Sequence, residues 1–138
     1  PFAAAERIVA ELRKSADVIL VDFHAEATSE KIAMGWFLDG TVAAVLGTHT
    51  HVQTADERVL PEGTAYITDV GMSGPENTVL GINRHLVIRQ IRTRMPQKFE
   101  VPKNRAWLCG AVIEVDLRTG RAQSITRINR AAENSHTE

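Results

Sequence analysis

Three histidines carry the clearest chemical signal in this chain. His49 and His51 stand one residue apart in Gly47-Thr48-His49-Thr50-His51, directly behind the apolar run Val42-Ala43-Ala44-Val45-Leu46. His24 closes a second such run, Val18-Ile19-Leu20-Val21-Asp22-Phe23-His24. Imidazole is the commonest side-chain metal ligand near neutral pH, and two strands ending in histidine can aim three of them at one point. In an extended segment residues i and i+2 point the same way, so His49 and His51 are expected to approach one ion or two neighbouring ions. Gly47 would allow close backbone approach. Taken alone, the three fit a mononuclear three-histidine zinc site with an open water position. They fit equally the nitrogen half of a two-metal site whose carboxylates lie elsewhere.

The other titratable groups weigh less. His85 sits on a predicted helix between Arg84 and Leu86 and reads as a surface or packing residue, and His136 lies in a polar tail. Asp22 and Glu26 flank His24, and Asp56 follows the histidine loop. Asp22 or Glu26 could orient an imidazole from behind, although a solvated or helix-capping carboxylate is the commoner case. No bridging carboxylate pair for two metals is visible.

The elements that must position these histidines follow from periodicity. Residues 2–14 read as an amphipathic helix with Ile8, Val9 and Leu12 on its apolar side. Residues 18–23 are β-branched and read as a strand covered on both faces. Thr28 and Ser29 are candidate caps for a second helix, with Ile32, Ala33, Trp36 and Phe37 as its apolar stripe and Asp39-Gly40 as its stop. Strand 42–46 follows. Strand–helix–strand is the pattern of a crossover in an α/β sheet, where sites gather beyond the carboxyl ends of the strands. His24, His49 and His51 all fall there.

Downstream, residues 65–68 read as a short strand and Asp69 to Pro75 as a turn-rich loop. Residues 83–94 favour a helix capped by Asn83, and Met95-Pro96 stops it. The chain then ends in an antiparallel hairpin: strand 107–116, a turn at Leu117-Arg118-Thr119-Gly120, and strand 121–128 with Ala122, Ser124, Thr126 and Ile128 alternating. The expected organisation is one α/β domain over residues 1–130 and a polar tail over 131–138.

Composition bounds the function. A formal charge of -1 over 138 residues gives no basic footprint for nucleic-acid backbone and no cationic patch for a membrane, so neither a double-stranded nucleic acid nor a membrane is expected as a partner. The single cysteine, Cys109, excludes an internal disulfide and a cysteine-based zinc cluster; in its apolar surroundings it reads as a small buried hydrophobe. No run approaches the roughly 20 apolar residues of a membrane span. The start lacks the regions of a signal peptide, so a cytoplasmic location is expected. It also lacks an initiator methionine and opens inside a helix, which points to a chain cut from something longer.

Several motifs taken together say more. Val21-Asp22-Phe23-His24-Ala25-Glu26-Ala27-Thr28-Ser29-Glu30-Lys31, Gly47-Thr48-His49-Thr50-His51, Ile67-Thr68-Asp69-Val70-Gly71-Met72-Ser73-Gly74-Pro75, and Arg94-Met95-Pro96-Gln97-Lys98-Phe99-Glu100-Val101 occur in order before the hairpin. In these the chain resembles the carboxy-terminal half of the YmdB-like calcineurin-type metallophosphoesterases.

The resemblance implies half of a four-layer α/β/β/α sandwich, with a mixed sheet, around a dinuclear metal centre. It implies phosphodiester hydrolysis, with 2′,3′-cyclic nucleotides as substrates. His24 and His49 would bind one ion and His51 the other, with manganese or iron expected and zinc as the alternative. The loop Gly71 to Gly74, with Gly71 and Ser73, would border the substrate pocket and turn backbone amides toward phosphate.

The family's remaining ligands, an early Asp, a Glu-Asn and an Asn-His whose histidine is a candidate general acid, belong to its amino-terminal half and have no match here. Weak metal binding and little turnover are therefore expected of these residues alone. Two other readings stay open: a mononuclear three-histidine zinc hydrolase, and a non-catalytic folded fragment or binding domain. Metal identity, physiological substrate and self-association are not fixed by the sequence.

Overall fold

The computed structural model describes residues 1–132. Helix α1 (Phe2–Leu12) leads into strand β1 (Leu20–His24), helix α2 (Thr28–Phe37) and strand β2 (Ala44–Thr48). β1 and β2 pair in parallel, Leu20 opposite Ala44 and His24 opposite Thr48, so the expected crossover is formed. It brings the ends of both strands side by side, which is where the histidines stand.

Two short strands complete this sheet. β3 (Arg58–Val59) pairs antiparallel with β4 (Ala65–Ile67), and β4 lies parallel to β2, giving the order β1-β2-β4-β3. β1 is thus an edge strand. Leu20, Asp22 and His24 are exposed and alternate with half-buried Val21 and Phe23, so the expected burial on both faces is not met. Val21 and Phe23 pack on the helix-side core, while Leu20, Asp22 and His24 share the other face, which stays open among the described residues.

α2 corrects the sequence reading further. Ala27, not Thr28 or Ser29, occupies its N-cap, and no side chain caps it. Its buried face is Lys31, Met34, Gly35 and Leu38, while Trp36 and Phe37 are about half exposed, at 51% and 43%. The rotation has a local cause. Gly35 lies against the ring of buried Tyr66, where any Cβ would overlap the aromatic carbons. A helix presenting Trp36 or Phe37 there could not come so close. Phe37 instead packs edge-on against Phe2 of α1, centroids 5.3 Å apart.

The helix side of the sheet buries Val9, Ile19, Met34, Leu38, Val42, Val45, Leu60 and Tyr66. Its opposite side is covered by a hairpin. β8 (Ala106–Asp116) and β9 (Arg121–Ala131) pair antiparallel over their length, and β5 (Gly74–Pro75) adds a third strand beside β8. The seam between the sheets is built on small residues, Ala44, Ala65 and Ala122, with Leu46, Val59, Ile113 and Ile125 around them. Helices, sheet and second sheet make an α/β/β stack with parallel and antiparallel strands, as expected for half of an α/β/β/α sandwich.

The register shifts between Glu114 and Val115, whose partners are Ser124 and Ala122. This bulge interrupts the alternation expected over 121–128, so Ala122 and Ile125, three apart, both reach the seam. The turn forms as predicted, Gly120 at φ +68° with its amide donating to Asp116.

Between the sheets' strands, β6 (Thr78–Val79) and β7 (Ile82–Asn83) form a small ladder, and α3 (Arg84–Thr93) follows with the Asn83 side chain accepting from the His85 amide. Ala131 still pairs with Trp107, and the Ala132 amide donates to Ala106, so the sheet runs past the expected start of the tail. The rest of that tail, with His136, lies outside the described residues. Cys109 is half-buried rather than enclosed, and burial pushes its thiol pKa up.

Candidate metal centre

His24 is oriented by a short relay. The Asp22 carboxylate accepts from the Thr48 hydroxyl at 2.9 Å, and Thr48 Oγ1 lies 3.1 Å from His24 Nδ1. A carboxylate only accepts, so the Thr48 proton points to Asp22 and its oxygen accepts from His24 Nδ1–H. In the neutral ring, the form that binds metal, Nε2 of His24 then carries the lone pair. It faces His49 Nδ1 at 3.1 Å, the rings crossing at 71° with centroids 4.9 Å apart.

That separation suits metal chemistry. Two nitrogens each about 2.1 Å from one ion, at right angles, stand roughly 3.0 Å apart. The donor set therefore fits two neighbouring positions on one ion, with Asp22 acting through Thr48 as carboxylate partners commonly do behind a metal-binding histidine. Glu26, the other candidate, is exposed and makes no side-chain hydrogen bond among the described residues.

His51 does not join them. Among the described residues no three His, Cys, Asp or Glu side chains converge on a metal-sized space, so one of the two arrangements the sequence left open, a single point for three imidazoles as in a three-histidine zinc cage, is not assembled among them. The expectation rested on an extended segment. Instead, His49 and His51 both have left-handed backbone, φ +119° and +65°. Such conformations cost a non-glycine residue on the order of 1–3 kcal/mol each and cluster at functional sites.

The strain is held by residues that the sequence reading passed over. Lys31 and Asp69 form a buried ion pair at 3.1 Å, their side chains 0% and 1% exposed. Lys31 Nζ also donates to the Thr48 carbonyl, immediately before His49. Asp69 accepts from the Thr50 amide, between the two histidines, at 2.9 Å, and from the Gly71 amide at 2.9 Å. One ion pair thus fixes the backbone on both sides of His49. Asp69 stands just beyond the end of β4, as His24 ends β1 and His49 follows β2, so the strand-end argument used for the histidines could have found it. Lys31, three residues before Met34, marks the buried face of α2.

Gly47 allows the close backbone approach expected of it. A Cβ there would overlap the Thr68 carbonyl, and the Val70 amide donates to the Gly47 carbonyl; the backbone it admits is that of the neighbouring strand end. Beyond the loop, the Gln53 side-chain amide reaches the carbonyls of Val70, Gly110 and Ile128, and its oxygen accepts from Asn129. This side chain ties the histidine loop to the hairpin. Gly71 and Ser73 are also committed internally. The Gly71 amide goes to Asp69, and the Ser73 hydroxyl donates to the Cys109 carbonyl while accepting its amide. The Gly71 amide is therefore not directed at phosphate.

Two carboxylates beneath the loop have lowered pKa values. For Asp69, burial pushes upward, but bonds from the Gly71 and Thr50 amides, the Thr50 side chain and Lys31 outweigh it. For Asp56, burial is again opposed, by the Thr54 and Thr68 hydroxyls and the Thr68 amide. Carboxyls that bind protons more weakly when folded stabilise the fold above their unfolded pKa and lose that contribution as pH falls through the folded value. Urea midpoints are expected to be level near neutrality and to fall below about pH 4. Asp56→Asn and Asp69→Asn, less stable at neutral pH, should each show a shallower acid limb. An unchanged limb in both variants would contradict the assignment.

A model of YmdB-like proteins matches residues 1–128. The chain belongs to this family. It is 52% identical over 128 residues to a Bacillus subtilis protein named 2′,3′-cyclic-nucleotide 2′-phosphodiesterase, covering 93% of this chain and 48% of that one. A Mycoplasma pneumoniae relative named putative phosphatase/phosphodiesterase is 46% identical over 120 residues, 86% of this chain and 42% of its own.

Two crystal structures superpose closely. A hypothetical protein from Thermus thermophilus gives a TM-score of 0.85 at 39% identity, over 96% of this chain and 51% of that one. A structure described as a novel phosphatase from Mycoplasma pneumoniae gives 0.84 at 42% identity, over 95% and 46%. The chain spans about half the length of the relatives it matches.

Proposed function

We propose that this YmdB-like chain carries the imidazole side of a two-metal centre in a phosphodiesterase that hydrolyses 2′,3′-cyclic nucleotides or related phosphodiesters. One observation carries the reading: His24 Nε2 and His49 Nδ1 meet at 3.1 Å, with Asp22 and Thr48 fixing which nitrogen of His24 is free. His24 and His49 would hold one ion and His51 the other, manganese or iron, with oxygen ligands supplied from outside these 138 residues. The names of the relatives support the substrate class.

Bound divalent ions supply a water of lowered pKa and positive charge opposite the phosphate. The chain's own contribution is positional. Asp22 and Thr48 hold the His24 tautomer, and Lys31 and Asp69 hold the strained loop. Neutral imidazoles bring no negative charge to the centre, which favours an anionic substrate. Gly71 and Ser73 enter as residues that shape the neighbouring loop. In the overall reaction water adds to phosphorus, the bond from phosphorus to the 2′ oxygen breaks, and that oxygen takes a proton, leaving a 3′-phosphate.

The test is hydrolysis of bis(p-nitrophenyl) phosphate and of a 2′,3′-cyclic mononucleotide by the full-length protein. Activity should vanish on chelation and return with Mn(II) or Fe(II). Turnover that survives exhaustive chelation would refute the proposal.

A further inference from the structure

The near-neutral total charge conceals a strong asymmetry. Residues 84–105 contain seven of the chain's 16 lysines and arginines and one acid, Glu100, a formal +6 within a chain of -1. Arg84, Arg89, Arg92, Arg94, Lys98, Lys103 and Arg105 are all exposed. The four ion pairs among the described residues, at Lys14, Lys31, Arg118 and Arg127, use none of them. Seven cations left without acidic partners point to a polyanion.

Their arrangement narrows the choice. On α3, His85, Arg89 and Arg92 fall at i, i+4 and i+7 and so share one helix face. At its start a cleft of about 390 Å³ is lined by Glu76, Asn77, Arg84, His85, Asn104 and Arg105. Apolar groups are interleaved with the charges: Ile88, Ile91 and Phe99 are 48%, 62% and 47% exposed. Five of the seven cations are arginines, whose planar fork matches phosphate better than an ammonium does. Cations tracking a backbone with an exposed ring for a base to stack on are the features of single-strand binding.

We infer that segment 84–105 binds the phosphate backbone of a single-stranded oligoribonucleotide, so that the protein takes 2′,3′-cyclic phosphates at the ends of RNA chains as well as on free nucleotides. The choice of RNA over other polyanions rests on the phosphodiesterase reading. A cyclic phosphate can only terminate a ribose chain, and every nucleotide behind it adds a negative charge for this surface to meet. A free mononucleotide would have no use for seven cations.

The test uses the full-length protein and a fluorescent ten-nucleotide oligouridylate with a 3′-hydroxyl, which binds without reacting. With about three phosphate contacts, affinity should weaken roughly twentyfold between 50 and 200 mM salt, from a slope of about -0.7 per contact. Arg84→Ala/Arg89→Ala/Arg92→Ala should lose most of the binding and of the salt dependence, and the matching lysine triple variant should keep the salt dependence. No binding, binding insensitive to salt, or equal binding by the alanine variant would overturn the inference. So would a preference for phosphatidylserine vesicles over the oligonucleotide. Uridine 2′,3′-cyclic phosphate turnover by the unmodified protein is measured alongside. Its absence with oligonucleotide binding intact would reject the phosphodiesterase reading and leave the binding surface standing.

Discussion

Replacing Lys31 with methionine is expected to lower the unfolding free energy by about 3–5 kcal/mol, the range found when one partner of a buried ion pair is removed. Methionine fills the stem of the side chain but leaves Asp69 facing neutral donors alone, the Thr50 and Gly71 amides and the Thr50 side chain, with its charge uncompensated. Against a native stability of roughly 5–15 kcal/mol, that is a large fraction. The double variant Lys31→Met/Asp69→Leu sharpens the point. Swapping an isolated buried pair for apolar residues is often near neutral, but here Asp69 also satisfies the amides of Thr50 and Gly71. Each orphaned amide costs about 1–3 kcal/mol, so the second change should not restore stability. Urea unfolding of the three proteins decides it. A single variant within about 1 kcal/mol of the parent, or a fully restored double variant, would show that the pair does not anchor the loop.

The reason for the pair is the backbone it holds. His49 and His51 sit at positive φ, a conformation that persists only where surrounding bonds over-determine it. The bonds from Lys31 to the Thr48 carbonyl and from the Thr50 amide to Asp69 provide this from beneath the loop. None of it was legible from Gly47 to His51 alone, because Lys31 and Asp69 lie on either side of that segment in the chain. The parallel strands, the crossover helix, the Asn83 cap and the final hairpin could be read because each depends on periodicity or turn residues within one short window.

Features that depend on distant contacts could not be read in that way. The face of α2 is decided by the Tyr66 ring against Gly35. The paired strands of two residues, such as β3 and β5, exist only because a longer strand lies beside them. The charge of residues 84–105 was in plain view but was averaged away by reading the chain's charge as one number. For the site, the residue types were legible and the convergence was not. Two imidazoles meet while the third stays apart, because the loop turns at each histidine instead of continuing the strand.

That arrangement yields an ordered expectation for the full-length protein. His49→Ala should lower metal-dependent hydrolysis of bis(p-nitrophenyl) phosphate by at least about 100-fold in kcat/KM. Loss of a partner behind a ligand typically costs about 10–100-fold, and loss of the ligand itself belongs at or beyond the top of that range. Asp22→Asn tests the relay separately. An amide oxygen can still accept from Thr48, but without the charge that polarises the Thr48 hydroxyl toward it, so the loss should stay nearer about 10-fold and appear chiefly as weaker metal affinity. Saturating Mn(II) should therefore recover much of the Asp22→Asn activity and little of the His49→Ala activity, since added metal cannot replace a missing nitrogen. Titration of each variant with the ion, followed by kcat/KM at saturation, separates the two. Parental activity in His49→Ala, or a deeper loss in Asp22→Asn than in His49→Ala, would remove His49 from the centre and leave the 3.1 Å contact between the rings as a plain hydrogen bond.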